Sequence, residues 1–230
     1  MRTGSSEGPI VKKLIQGIVE FRRAVRPAKR ETFARLALGQ KPDALLVTCA
    51  DSRVAPNVFA STDPGDLFVV RNVGNLVPPT EADGKAVGNL SEAAAIEFAL
   101  RYLPIRDIVV CGHSECGAML ATLHGLEDDT TPNLQDWLRS GQRALERLER
   151  EGAPDVSLSR HNQLSQVNVL VQVEHVMSYP RVRERMEAGT LRLHAWWFDI
   201  AQADVHAYEP EQGRFVLMDE SEAERILARL

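Results

Sequence analysis

Cysteine is scarce in this chain, with three residues in 230, at positions 49, 111 and 116. A number so small and odd argues against a disulfide framework, so the thiols are read as thiols. Basic residues are not in excess: 27 Lys and Arg stand against 32 Asp and Glu, a net charge of −5. The electrostatic footprint of a nucleic-acid-binding protein is therefore missing. Aromatic residues make up only 6% of the chain. No apolar run approaches the ~20 residues needed to cross a bilayer, so no membrane partner is expected. The opening MRTGSSEGP has no apolar signal core, and the expectation is a cytoplasmic protein. Internal repeats and low-complexity tracts are lacking as well. What the chain does have is a 44% hydrophobic fraction, enough for the core of a single domain over residues 1–230.

Two stretches carry the chemistry. Residues 44–48 (ALLVT) form a charge-free apolar run suited to a strand buried on both faces. The run ends at Cys49, and Asp51 and Arg53 follow at alternate positions. Further along, residues 107–112 (DIVVCG) repeat the pattern and lead straight into His113, Ser114, Glu115, Cys116 and Gly117. The carboxyl ends of parallel strands are where α/β proteins place their ligands. If these two strands are neighbours, Cys49, His113 and Cys116 meet at one point. Two thiolates and an imidazole are zinc ligands, and three protein ligands leave a fourth position open, as in catalytic rather than structural zinc sites. Asp51 beside such a metal can accept a hydrogen bond from a bound oxygen, and Arg53 can hold Asp51 by a charge-assisted pair.

CADSR at 49–53 followed by HSECG at 113–117 resembles the β-class carbonic anhydrases. The likeness extends over GDLFVVRNVGNLVPP (65–79), AAIEFAL (94–100) and HAWWFDI (194–200), and spans most of residues 10–218. It implies an α/β fold, a mostly parallel central sheet flanked by helices, with the N-terminal helical arm (10–38) packing on a partner subunit. It implies one zinc per chain on Cys49, His113 and Cys116. The implied reaction is reversible hydration of CO2 to bicarbonate and a proton by zinc-bound hydroxide, in a homodimer or a dimer-of-dimers tetramer. Gln40, nine residues before Cys49, matches the family's substrate-binding glutamine, and Gly117 joins the substrate contacts. Phe68, Val73 and Phe98 match the segments that line the apolar CO2 pocket; on their own, such residues read as core. A branch of the family is gated by bicarbonate through a Trp, an Arg and a Tyr. Here those positions are Leu46, Arg71 and Phe198, which points to the open-site branch. Two alternatives are a CS2 or COS hydrolase on the same scaffold and a non-catalytic zinc-binding regulatory module. A thiol redox protein fits poorly, since no CxxC is present.

Periodicity places the remaining elements. A helix with a wide apolar stripe is expected over 10–25, ended by Pro27, then a second over 30–38. Strands are expected at 44–49, 66–71, 107–112 and 191–199, and a hairpin at 205–208 and 214–217. Helices are expected at 92–102 (capped by Ser91), 118–124, 133–150, 157–178, 181–188 and 221–230. Residues 1–9 read as disordered and 127–131 as an acidic loop. Cys111 is read as a buried free thiol, and His124, His161, His175, His194 and His206 as surface or ordinarily packed.

Overall fold

The computed structural model describes residues 10–125 and 130–229. The expectations for 1–9, for most of the acidic loop and for Leu230 lie outside those residues. The chain divides into two compact units, residues 1–40 and 41–230.

In the first unit, α1 (Ile10–Glu20) passes through a π-helical turn (Phe21–Val25) into α2 (Arg26–Leu36). Pro27 does not end the helix as expected. It sits in the first turn of α2, where its missing N–H is no loss. The turn before it widens, so that the Arg26 N–H donates to the Phe21 carbonyl five residues back. Such a π-bulge absorbs what a proline would otherwise break. Phe21 and Phe33 pack edge to face at 6.4 Å. No side chain of α1 or α2 is buried.

The second unit contains, among the described residues, six strands: β1 (Ala44–Cys49), β2 (Leu67–Asn72), β3 (Asp107–His113), β4 (Arg192–Asp199), β5 (Asp204–Glu209) and β6 (Arg214–Leu217). They form one sheet in the order β2-β1-β3-β4-β5-β6. The first four are parallel, and β5 and β6 close the edge as the expected antiparallel hairpin. The helices are α3 (Pro56–Phe59), α4 (Ser91–Tyr102), α5 (Gly117–His124), α6 (Pro132–Leu138), α7 (Gln142–Glu151), α8 (Arg160–Met177), α9 (Pro180–Glu187) and α10 (Glu220–Leu227). The fold class is the expected one, a mostly parallel central sheet flanked by helices.

The apolar run of β1 and that of β3 after Asp107 explain their central place. Leu45, Val47, Ile108 and Val110 pack into a core with Ile96, Ala99 and Leu100 of α4 and Val169 and Val176 of α8. Leu46, Val109 and Cys111 alternate to the other face and meet Val54 and Phe198. At the amino ends of the strands, Asp107 of β3 receives Arg192 at 2.7 and 2.8 Å and pairs with His194 at 2.8 Å, both on β4. This explains the wetter face of β4 and fixes the register Asp107↔Arg192.

Several helix boundaries differ from expectation, among them the start of α8 at Arg160 and the end of α10 at Leu227. Ser91 is the first residue of α4 rather than its cap, and its N–H donates to the Asn89 side chain at 3.0 Å. The segment expected as one helix over 133–150 breaks at a 3-10 turn, Arg139–Gly141, where serine and glycine are weak helix formers.

Helix α8 crosses β3 so closely that a Cβ on Gly112 would lie 2.6 Å from Val169 Cγ2. At the same crossing the Ser165 hydroxyl donates to the His113 carbonyl at 2.7 Å, and the Trp197 indole donates to Ser165 at 3.1 Å. The carboxyl end of β3 is thereby pinned from both sides, and that end carries the candidate site.

Candidate metal centre

Cys49 is the last residue of β1, His113 the last of β3, and Cys116 the cap of α5. Since β1 and β3 are hydrogen-bonded neighbours, the strand ends bring these residues together. Their ligand atoms all lie within 4.8 Å of one another, and all three residues are buried. The turn between His113 and Cys116 is held on two sides. The Ser114 N–H donates to the Phe198 carbonyl at 2.9 Å, and the Ser114 hydroxyl receives the Ile200 N–H at 2.8 Å. Glu115 adopts a left-handed φ of 56°. Its N–H donates to Asn162 Oδ1 at 2.7 Å, and its carboxylate receives Asn162 Nδ2 at 2.9 Å and pairs with His161 at 3.1 Å.

The donor set fits zinc. His113 Nδ1 lies 2.8 Å from the Ser114 carbonyl, which assigns the proton to Nδ1 and leaves the lone pair on Nε2. That Nε2 is buried and has no hydrogen-bond partner. A buried acceptor left unpaired is costly, whereas a metal ligand in this place is satisfied. The Cys49 thiol is pushed down, chiefly by the facing Cys116 thiol and then by the backbone N–H groups of Gly74 and Asp51. The facing Cys49 sulfur and burial push Cys116 up. Gly74 N–H reaches Cys49 Sγ at 3.3 Å.

Beside the cluster, Arg53 grips Asp51 in a fork, Nε to Oδ1 at 2.9 Å and Nη2 to Oδ2 at 2.8 Å. The Arg53 backbone N–H adds a third bond to Oδ1 at 2.9 Å. These bonds hold the Asp51 carboxyl well below the usual carboxylate range. Arg53 Nη2 also donates to the Glu115 carbonyl at 2.9 Å, so one guanidinium ties the two ligand-bearing loops together. Arg71 supports the first of them from β2, donating to the carbonyls of Cys49 at 3.1 Å and Asp51 at 2.7 Å.

The sequence profile of the carbonic anhydrase family matches residues 44–205. Beta carbonic anhydrase 1 of Caenorhabditis elegans is 35% identical over an alignment covering 95% of this chain and 92% of that protein. The β-carbonic anhydrase CcaA superposes with a TM-score of 0.81 at 34% identity, covering 91% of this chain and all of the other. A structure from a study of two tetrameric β-carbonic anhydrases of Sordaria macrospora gives a TM-score of 0.72 at 26% identity, over 86% of this chain and 96% of that one. The chain belongs to the β-carbonic anhydrase family.

The other positions matched to β-carbonic anhydrase motifs are scattered. Gln40 is the last residue of the first unit and is exposed in an irregular segment. Gly117 opens α5 directly after Cys116, exposed, with open space where a Cβ would stand. Val73 follows β2, next to the Gly74 that reaches Cys49, and is half-exposed. Phe68 and Phe98 stack on each other at 5.9 Å, and Phe98 meets Tyr102 at 5.2 Å. The register sets Phe68 opposite Leu45. That is four residues back from the Cys49 end of the sheet, about 13 Å along the strand. Within one chain the aromatic pair is therefore not part of the cysteine–histidine cluster.

The positions of the bicarbonate gate are filled by apolar packing. Leu46 and Phe198 are buried in one cluster with Val54, and Phe59 stacks on Phe198 at 5.1 Å. Arg71, read from the sequence as the remaining member of that gate, is turned onto the Cys49–Asp51 backbone instead.

Cys111 is buried, its thiol pushed up to about 12 by burial, and it lies outside the metal group found among the described residues. His175 is packed, with Nδ1 2.8 Å from the Val77 carbonyl. Sequence reasoning missed the structural parts played by Arg71, Ser114, Asn162 and Trp137. A signal existed for Asn162: polar residues outnumber apolar ones in α8, and it buries Asn162, Ser165, Gln166, Asn168 and Gln172. Buried polar groups on a helix need partners, and here several of those partners are the loops around the site.

Proposed function

We propose that Cys49, His113 and Cys116 hold the zinc with which this carbonic anhydrase interconverts CO2 and bicarbonate, and that Asp51 is its catalytic carboxylate, positioned by Arg53. The observation that carries the ligand set is the buried, unpartnered Nε2 of His113 beside two buried cysteine sulfurs. Zinc there supplies Lewis acidity, so that a water loses its proton readily. Asp51 stays ionised through the neutral range and accepts the hydrogen bond of the attacking oxygen, which turns a lone pair toward the substrate carbon. The Arg53 fork keeps that carboxylate ionised and in one orientation. The backbone at Gly117 serves as a contact for the polar oxygens, and Val73 gives the small apolar substrate an apolar wall. Stopped-flow CO2 hydration by the zinc-loaded protein tests this: catalysis with about one zinc per chain is expected. A zinc-loaded, folded protein without turnover would overturn it. The relatives described above are named carbonic anhydrases, and none of them supports CS2 or COS hydrolysis or a non-catalytic zinc module.

We further propose that the enzyme is a homo-oligomer, a dimer or dimer-of-dimers tetramer, located in the cytoplasm. Helix α1 exposes Ile10, Val11, Leu14, Ile15, Ile18 and Val19, with Leu14 61% and Ile18 67% exposed. Such an apolar stripe calls for a covering surface, which we assign to a second copy. Phe68 and Phe98 lie too far back on their own sheet to wall the site of the same chain, so their place as pocket residues falls to the partner's site. Sedimentation at micromolar concentration should show a dimer or larger, and Leu14→Asp with Ile18→Asp should shift it to monomer. A well-folded wild-type monomer under those conditions would refute the assembly.

A further inference from the structure

Trp137 stands half-buried on α6, where its spacing reads as one apolar member of an amphipathic stripe. Its indole N–H, however, is committed to one acceptor, the Val73 carbonyl, at 2.7 Å. That carbonyl and the Gly74 N–H belong to the same peptide. In a trans peptide the two point in opposite directions, and no cis peptide occurs among the described residues. The Gly74 N–H is the one that meets Cys49 Sγ at 3.3 Å. A single peptide plane is therefore held between an indole on one side and a ligand sulfur on the other. The next peptide is held too, since the Gly74 carbonyl accepts Asn168 Nδ2 at 3.0 Å, and Asn168 Oδ1 accepts Gln172 Nε2 at 2.9 Å. Gly74 itself has φ +84°, and a Cβ there would lie 3.0 Å from Ala118 Cβ. The residue between the two planes must be glycine for the loop to come this close.

Resting on the assignment of Cys49 as a zinc ligand, we propose that Trp137 is a positioning residue for that ligand, fixing the Val73–Gly74 peptide so that its N–H is aimed at the Cys49 sulfur. The chemistry gives this a purpose. Each thiolate pushes charge onto the metal and lowers its Lewis acidity, and an N–H donor on the sulfur draws part of that charge back. Cys116 sits at the N-terminus of α5, where the N–H groups of the helix's own first turn are directed. Cys49 ends a strand, has no helix of its own to donate, and draws its long-range donor from the loop that Trp137 holds.

Trp137→Phe keeps an aromatic ring on α6 and removes only the donor. The carbonyl of Val73, a half-exposed residue, can then turn to water, and the peptide is free to rotate. In the cobalt-substituted variant the thiolate-to-cobalt charge-transfer band should move to longer wavelength. Zinc transfer to a competing chelator should become faster on the order of tenfold. Both quantities unchanged in a folded Trp137→Phe protein would overturn the proposal. A measurement on the unmodified chain guards against a variant that fails to fold. In wild-type protein loaded with cadmium-113, the Gly74 amide proton should show scalar coupling to the metal through the sulfur, and absence of that coupling would also overturn it. Cys49→Ser separates the two levels. If it keeps its metal, the ligand assignment fails. If it loses metal while Trp137→Phe behaves as wild type, only the role of Trp137 fails.

Discussion

Cys49→Ser, His113→Ala and Cys116→Ser should each strip the protein of zinc and activity together, while Cys111→Ser keeps both. Binding of zinc at a closed four-ligand site is worth about 10–16 kcal/mol, so each ligand is worth roughly 3–4 kcal/mol. Loss of one weakens binding by a factor of about 10²–10³. Zinc content by atomic absorption after dialysis against a mild chelator, read beside CO2 hydration, makes the comparison. Cys111 is the informative control because it is two residues before His113 on the same strand yet outside the cluster, in the apolar layer with Leu46 and Val109. If Cys111→Ser loses metal like the other three, the ligand set is wrong. The sulfurs add a pH dependence whose sign is fixed. The facing Cys49 sulfur and burial push the Cys116 thiol up, so without metal it keeps its proton through the neutral range. Zinc takes both sulfurs as thiolates, so binding releases that proton, and affinity should rise with pH by about tenfold per unit through the neutral range. Affinity that is flat between about pH 6 and 8 would mean that the pair is already fully ionised without metal.

The parts of this site that could be read in the sequence are those that strand ends dictate. Residues 44–48 and 107–112 are free of charge apart from Asp107, so they belong in the centre of a parallel sheet, and whatever follows such strands collects at their carboxyl ends. Cys49, Asp51, Arg53, His113 and Cys116 were legible for that reason. Arg71 was not, because the direction of a long side chain at a strand end depends on what neighbouring loops offer. Here they offer two carbonyls, from Cys49 and Asp51. Trp137 was hidden by its own periodicity: a tryptophan on an apolar stripe satisfies the packing pattern whether or not its N–H has an acceptor to hold. The course of the chain through Pro27 was misread because proline breaks an α-helix only if the preceding turn keeps α geometry, and the π-turn at Phe21–Val25 removes that condition. Phe68 and Phe98 show the limit of motif matching within one chain. They match pocket segments, but the register that sets Phe68 against Leu45 keeps it distant from Cys49.

Arg53→Ala should keep its zinc and lose turnover, with kcat/KM lower by about a hundredfold, the cost of misplacing a reacting group by about 1 Å. In the wild-type chain both Asp51 oxygens are held by the Arg53 fork, which keeps the carboxyl well below the usual carboxylate range. A carboxyl pKa pushed down leaves the anion and its pairing intact above the ordinary range, and the pairing is lost only as pH falls far below it. Asp51 therefore contributes no acid limb between about pH 5 and 9, where an ordinary carboxyl at ~3.9 is ionised as well. The deficit in Arg53→Ala thus cannot come from protonation and must come from position. The freed carboxylate retains only the backbone N–H of residue 53, turns away from the attacking oxygen, and is free to compete for the open coordination position. Arg53→Lys restores the charge without the planar fork and should recover only part of the rate. In the wild-type protein, activity should rise with pH along one ionisation and without cooperative bicarbonate inhibition. Leu46 and Phe198 fill the gate positions with apolar packing, and a ligand shifts an equilibrium only by its differential affinity for the two states. A steep, multi-proton pH profile would contradict the ungated reading. An Arg53→Ala enzyme with near-wild-type kcat/KM at full zinc occupancy would remove Asp51 orientation from the mechanism.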